Sequence, residues 1–207
     1  MIAKTVKLIL KKLNNITVGN FRTKILSKII VEIILKYSKK KETIKIIDYG
    51  SGFQPKVIFY IYESLKNEHK INVKICCYDM YDSQYLKNLN QNKDIIFFHI
   101  NNLNLDSTKY DFCLINDVLH HIGVEKVQEL KNLIIELQNK AEFVLIKDHF
   151  QYGFFSNLTI RIMDFLGNYF NDVATPKKYF DKPSFDNLLK LTNLEIVEKI
   201  LNIKLYQ

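Results

Sequence analysis

Three short runs in this chain carry groups capable of chemistry. Asp48-Tyr49-Gly50-Ser51-Gly52 follows a β-branched stretch and is soon followed by Pro55, a residue suited to a first helical turn. Its glycines let the backbone turn sharply and approach a ligand closely, and its carboxylate supplies a fixed negative charge. Asn116-Asp117-Val118-Leu119-His120-His121 and Lys147-Asp148-His149 combine carboxylates with imidazoles, the side chains that exchange protons near neutral pH. A further carboxylate, Asp79, ends another β-branched stretch.

The elements that must position these groups are legible as a regular alternation. From residue 44 the runs TIKIID, NVKICCYD, DIIFFHI, DFCLIN and EFVLIKD are nearly continuously apolar, as strands buried on both faces are. Helical stretches at 55–69, 82–91 and 124–139 separate them, which is the βαβα order of a parallel sheet with right-handed crossovers. The tail adds a helix at 183–191, a strand LEIVEKI and a last strand IKLY. The expected fold is a three-layer αβα, Rossmann-like sheet, mostly parallel, of six to seven strands with the last antiparallel. Ahead of it, residues 4–14 and 21–38 show helical periodicity with lysines off the apolar stripe, giving two basic amphipathic helices. The organisation read here is an N-terminal helical segment 1–43 packing on a body 44–207, with a helical insertion at 150–182.

Size and charge narrow the function classes. A chain of 207 residues with 47% hydrophobic and 13% aromatic content can fill one sizeable core. The longest apolar run, near 29–35, is interrupted by Glu32 and falls far short of the roughly 20 residues of a membrane span. The start lacks the pattern of a secretory signal, so a cytoplasmic protein is expected. Cys76, Cys77 and Cys113 lie in apolar strand-like runs without metal-ligand or pairing spacing and read as core residues. The net charge of +8 is local: residues 1–45 hold 12 basic against 2 acidic side chains, and the remainder holds 18 against 20. The basic helices can pack on the body or attach to an anionic surface, either membrane or nucleic acid.

The glycine loop discriminates between cofactors. A dinucleotide site wants a third glycine so that a pyrophosphate can rest on a helix N-terminus, whereas Pro55 follows here and no third glycine does. Asp48 would also repel a pyrophosphate, yet it suits a ligand that carries an ammonium and a sulfonium. S-adenosylmethionine is such a ligand. Asp48-Tyr49-Gly50-Ser51-Gly52 after a first strand resembles the cofactor signature of the class I S-adenosylmethionine-dependent methyltransferases, and the resemblance extends over roughly residues 40–200. Gln54 stands where that family usually has a third glycine.

The resemblance implies roles for further residues. Asp79, with Met80 beside it, is implied to hold the ribose hydroxyls, and Asn101 or Asn102 to contact the adenine amino group. Asn116 and Asp117 are implied to line the methionine side. Product S-adenosylhomocysteine would leave from the same pocket. The insertion after strand five, dense in aromatic residues, sits at the carboxyl edge of the sheet over the transferable methyl group. From the end of strand five through the insertion, the pattern of Lys147, Asp148, His149, Gly153, Arg161, Met163, Asp164, Gly167, Asn168, Pro176 and Tyr179 is similar to small-molecule methyltransferases of no settled substrate. Arg161, Asp164, Asn168 and Tyr179 are the candidate acceptor contacts, and Arg161 and Asp164, three apart, can equally form an ion pair on one helical face.

Methyl transfer from a sulfonium is an in-line displacement that needs alignment more than machinery. A hydroxyl acceptor also needs a base, for which His149 stands first, then His121 and Asp148. No metal is expected: Asp117 and Asp148 could share a Mg²⁺, but no Asp-Asn pair completes the ligand set. The expected partner is a small molecule, hydroxyl-bearing or lipid-like. A nucleic-acid acceptor is disfavoured because no Asn-Pro-Pro-Tyr-type tetrapeptide follows strand four. The rival readings are an RNA methyltransferase and a non-catalytic cofactor-binding scaffold. The sequence leaves the oligomeric state open.

Overall fold

The computed structural model describes residues 20–52, 55–81, 92–169, 176 and 178–200. The expected helices at 4–14 and 82–91 and the expected strand IKLY lie outside them, as does the side chain of Asn168. The chain divides into two compact units: residues 1–40, 55–70 and 196–207 form one, and residues 41–54 and 71–195 the other. None of the described helices is long and apolar enough to cross a membrane.

The larger unit is built on five strands: β1 (Thr43–Tyr49), β2 (Asn72–Asp79), β3 (Ile95–His99), β4 (Tyr110–Asn116) and β5 (Ala141–Lys147). They form one sheet in the order β3-β2-β1-β4-β5, and every pairing is parallel. β1 is therefore central, as its sequence requires: Ile46 and Ile47 project to opposite faces of the sheet and both are fully buried. Burial of Cys77 and Cys113 pushes their thiols above the ordinary range, in keeping with inert core residues.

Helix α4 (Val127–Lys140) packs on β4 and β5 through a stripe of Leu130, Ile134 and Leu137, spaced four and three apart and fully buried. Each of these side chains contributes roughly 2 kcal/mol of transfer free energy. Beyond β5 the chain forms α5 (Phe154–Tyr169), and later α6 (Lys182–Leu191), which packs against α4. The two ends of the expected insertion are tied together by a parallel bridge between Phe150 and Phe180 and by the Gln151 amide, which donates to the Phe180 carbonyl at 2.8 Å. Phe185 locks this junction edge-on, its ring 4.9 Å from that of Phe150 and 5.3 Å from that of Phe180.

In the smaller unit, α1 (Asn20–Tyr37) packs against α2 (Lys56–Glu63). The expected helix at 55–69 is present, but its last turn, Ser64–Glu68, widens to the π pattern, and the His69 amide reaches the Ser64 carbonyl at 3.2 Å.

The described chain departs from expectation at LEIVEKI. Among the described residues the sheet has five strands, all parallel, and the expected antiparallel last strand IKLY lies outside them. LEIVEKI, residues 194–200, forms no strand although it carries the β-branched residues Ile196, Val197 and Ile200. Such residues make a strand only where a neighbour completes the ladder. Here Ile196, Val197 and Ile200 stay exposed, and Glu198 is held by Lys36 and Tyr37 of α1, each at 3.0 Å. Between β4 and α4 lies a one-turn helix, α3 (Leu119–Ile122).

α6 opens with a reciprocal cap. Asp181 accepts from the Ser184 amide at 2.8 Å, Ser184 Oγ accepts from the Asp181 amide at 3.2 Å, and Pro183 occupies the first turn. Asp181→Ala is expected to lower the stability of the chain by about 1 kcal/mol, measurable as a shifted urea midpoint at unchanged slope.

Candidate functional site

Because all five strands are parallel, their carboxyl ends lie along one edge. Tyr49 pairs with Tyr78, Asp79 with His99, Tyr49 with Ile115 and Asn116 with Lys147. This edge of the larger unit gathers the sequence-predicted cofactor residues, and all of them come from segments that follow or end a strand.

Gly50 and Gly52 both adopt positive φ, 80° and 75°, a conformation that favours glycine. Gly50 is also constrained by space, since a Cβ there would lie 2.3 Å from Val118 Cγ2. Its amide donates to the Tyr78 carbonyl at 2.8 Å, so the loop turns directly against the end of β2. Asp79 fixes the far side of the loop: one carboxylate oxygen accepts from the Gly52 amide at 2.7 Å and the other from the Met80 amide at 2.7 Å. The Tyr81 amide bonds it as well, and since a carboxylate has about four lone-pair sites, acceptor capacity remains for a ligand. Burial raises the Asp79 carboxyl above its usual range, and these amides work against that rise.

Asp48 is only 3% exposed. Burial, followed by the neighbouring Asp79 charge, pushes its carboxyl up to about 8. Among the described residues the loop thus holds an acid that lacks a compensating cation. It also holds an orphan, because Ser51 Oγ is buried and has no hydrogen-bond partner among them. Asn101 and Asn102 are exposed in the 3₁₀ turn Ile100–Leu105 that follows β3, where the Asn101 amide donates to His99 Nδ1 at 3.2 Å.

The histidine-carboxylate cluster forms after β4 and β5. His120 lies at its centre, 2% exposed. Its Nδ1 is 2.5 Å from Asp148 Oδ1, and its backbone amide donates to Asp148 Oδ2 at 3.2 Å. Its Nε2 faces Asp164 Oδ2 at 3.5 Å, and Tyr179 donates its hydroxyl to that same oxygen at 2.7 Å. Burial works against a charged ring, yet Asp148 and Asp164 outweigh it and raise His120 to about 9. His121, on the exposed side, is lowered by burial and by the neighbouring His120. The two rings lie 4.2 Å apart.

The three base candidates therefore differ in what surrounds them. Asp148 is enclosed, with His120 and the His149 amide, at 2.6 Å, on its oxygens. His149 places Nε2 3.2 Å from Asp117 Oδ1, and Lys147 Nζ pairs with that same oxygen. Asp117 reaches both through a left-handed backbone, φ 56°. Among the acceptor candidates, Arg161 lies over the Tyr179 ring at 5.8 Å, and Asp164 turns to Tyr179 and His120. Sequence reasoning missed the centrality of His120. The His-His pair was the signal, but on a one-turn helix periodicity does not say which ring turns inward.

Asp48 provides a pH test. A carboxyl raised in the folded state keeps its proton while the unfolded chain loses it, so the folded state loses stability as pH rises from about 4 to about 8. Asp48→Asn is expected to match the native chain near pH 4.5 and to exceed it by a few kcal/mol at pH 8, the gap widening by about 1.4 kcal/mol for each pH unit in between. Urea unfolding across that range checks it.

No protein-family model matches the chain, and no curated protein is similar to it. Solved structures are. The plantazolicin methyltransferase BpumL, in complex with a monoazolic desmethylPZN analog and SAH, superposes with a TM-score of 0.57 at 15% identity, over 91% of this chain and 70% of that one. The mycolic acid cyclopropane synthase CmaA1, complexed with SAH and CTAB, gives 0.51 at 8% identity, over 82% of this chain and 61% of that one. A putative sarcosine dimethylglycine methyltransferase from Galdieria sulphuraria gives 0.50 at 13%, over 84% and 62%. The chain has the fold of the class I S-adenosylmethionine-dependent methyltransferases.

Proposed function

We propose that this chain binds S-adenosylmethionine at the carboxyl edge of β1 and β2 and transfers its methyl group to a small-molecule acceptor. The observation that carries the reading is the charge and hydrogen-bond balance of the glycine loop. Among the described residues Asp48 is a buried acid without a cation, Asp79 has spare acceptor capacity at a strand end, and Ser51 Oγ is an orphan. A ligand with a cationic amino-acid end and a ribose diol would satisfy all three, whereas a pyrophosphate would meet two acids. The likeness to structures crystallised with SAH supports the same choice.

In this reading Asp48 faces the cationic end, Asp79 accepts from the ribose hydroxyls, Met80 and Ser51 border the nucleoside, and Asn101 or Asn102 meets the adenine. Asn116 and Asp117 flank the methionine moiety. When bound, S-adenosylmethionine supplies a methyl group activated by its sulfonium. The chain has to align the acceptor, exclude water and remove a proton where the acceptor is a hydroxyl. His149, oriented by Asp117, is the base of this scheme. α5 supports an acceptor with apolar character: Phe154, Phe155, Leu158, Ile162 and Phe165 are exposed along it, with Arg161 among them.

Calorimetry tests the cofactor assignment. S-adenosylmethionine and S-adenosylhomocysteine are expected to bind with micromolar affinity, NAD not to bind, and Asp79→Ala to weaken binding by tenfold or more. Binding of NAD, or of nothing, would sink the reading. The cationic ligand should also draw the proton from Asp48, so affinity is expected to rise as pH increases from 6 toward about 8 and then level off. In Asp48→Asn that slope should disappear along with most of the affinity.

For the proton-transfer step, His149→Ala is expected to lower turnover of a hydroxyl acceptor on the order of 10²-fold. Cofactor affinity should stay within about twofold of the native value.

A further inference from the structure

Only one of the two ring nitrogens of His120 has a hydrogen-bond partner among the described residues. Nδ1 is bonded to Asp148, whereas Nε2 is buried and makes no hydrogen bond. Buried polar atoms left in this state call for an occupant. What faces Nε2 is chemically specific: Asp164 Oδ2 at 3.5 Å and the neighbouring ring of His121. One ligand-capable atom each from His120, His121 and Asp164 lie within 4.8 Å of one another. Around a tetrahedral ion with bonds of about 2.0–2.1 Å, neighbouring ligand atoms stand roughly 3.3 Å apart. The separation of His120 and Asp164 already approximates that edge. His121, on the exposed side, can close the third position by side-chain rotation.

We propose that His120, His121 and Asp164 hold one divalent transition-metal ion, with Zn²⁺ the best match to two imidazoles and a carboxylate. The surroundings are those of a metal-binding histidine. Asp148 accepts a hydrogen bond from the Nδ1–H of His120, which fixes the tautomer and, once an ion replaces any proton on Nε2, presents that lone pair to it. Tyr179 donates to Asp164 at 2.7 Å and orients that ligand as Asp148 orients His120. A dication balances the two carboxylates, Asp148 and Asp164, that flank one buried ring. The ligand set differs from the Asp117–Asp148 pair weighed in the sequence, since the Asp148 oxygens are taken up by His120 and by the His149 amide.

Three protein ligands leave a fourth position open, as in catalytic rather than structural zinc sites. An acceptor oxygen bound there would lose its proton more readily, and His149 and Asp117 would lie nearby to take it. This use of the site rests on the methyl-transfer reading. The ligand set does not.

The chain, freed of metal by a chelator, is titrated with Zn²⁺ against a chromogenic competitor. One equivalent is expected to bind tightly, with affinity falling tenfold or more in His121→Ala and in Asp164→Asn, and about 10–100-fold in Asp148→Asn. Co²⁺ added to the native chain should give the intense visible bands of a tetrahedral site, and these should be lost in His121→Ala. S-adenosylmethionine affinity should stay within about twofold in His121→Ala, which separates failure of this site from failure of the cofactor assignment. Absence of a bound equivalent in the native chain overturns the proposal, as does binding that both His121→Ala and Asp164→Asn leave unchanged. His120 is then a cation held between two aspartates.

Discussion

The site depends on the carboxylate of Asp79 accepting from the amide of Gly52 across the end of the sheet. That bond joins two segments 27 residues apart in sequence and sets how far the glycine loop stands from β2. The parallel register of β1 and β2 brings the two within reach, and the positive φ of Gly52 presents the amide. Once the loop is held, Asp48 has little freedom. It remains buried beside a second acid, in a position that opposes stability and favours a cation. The larger unit supplies the rigidity for this arrangement through a core that runs from β1 and β4 to α4 and α6.

Much of this was legible in the sequence because the signals are local. Nearly continuous apolar runs placed all five strands to within one or two residues, and the order of strands and helices implied the parallel sheet. The glycine loop was readable because φ near 80° favours one residue type. LEIVEKI was misread for a physical reason: β-branched residues favour a strand, but pairing depends on a neighbour that no local pattern reveals. Ile196 and Val197 are left exposed as a result.

The histidine cluster illustrates a second limit. Sequence reasoning could rank His149, His121 and Asp148 by type and by proximity to strand ends, but it could not see that Asp148 is fully enclosed by His120 and His149. Nor could it see that Asp164, fifteen residues before Tyr179, would accept a bond from Tyr179 rather than serve only as a helical neighbour of Arg161. These are long-range pairings across the insertion, created when Phe150 and Phe180 meet at its base. The chemistry is carried by residue types that are plain in the sequence, and the division of labour among them is set by tertiary contacts.

The left-handed backbone of Asp117 narrows the substitutions this site can tolerate over time. Glycine or asparagine would keep the turn at φ 56°, and glutamate would keep the charge, but aspartate combines a short polar side chain suited to that conformation with the anion that Lys147 and His149 share. A quarter-exposed position would ordinarily drift freely. Here backbone geometry and electrostatics act as two independent filters, so descendants of this chain that retain the lysine and the histidine should vary far less at residue 117 than its exposure alone would suggest.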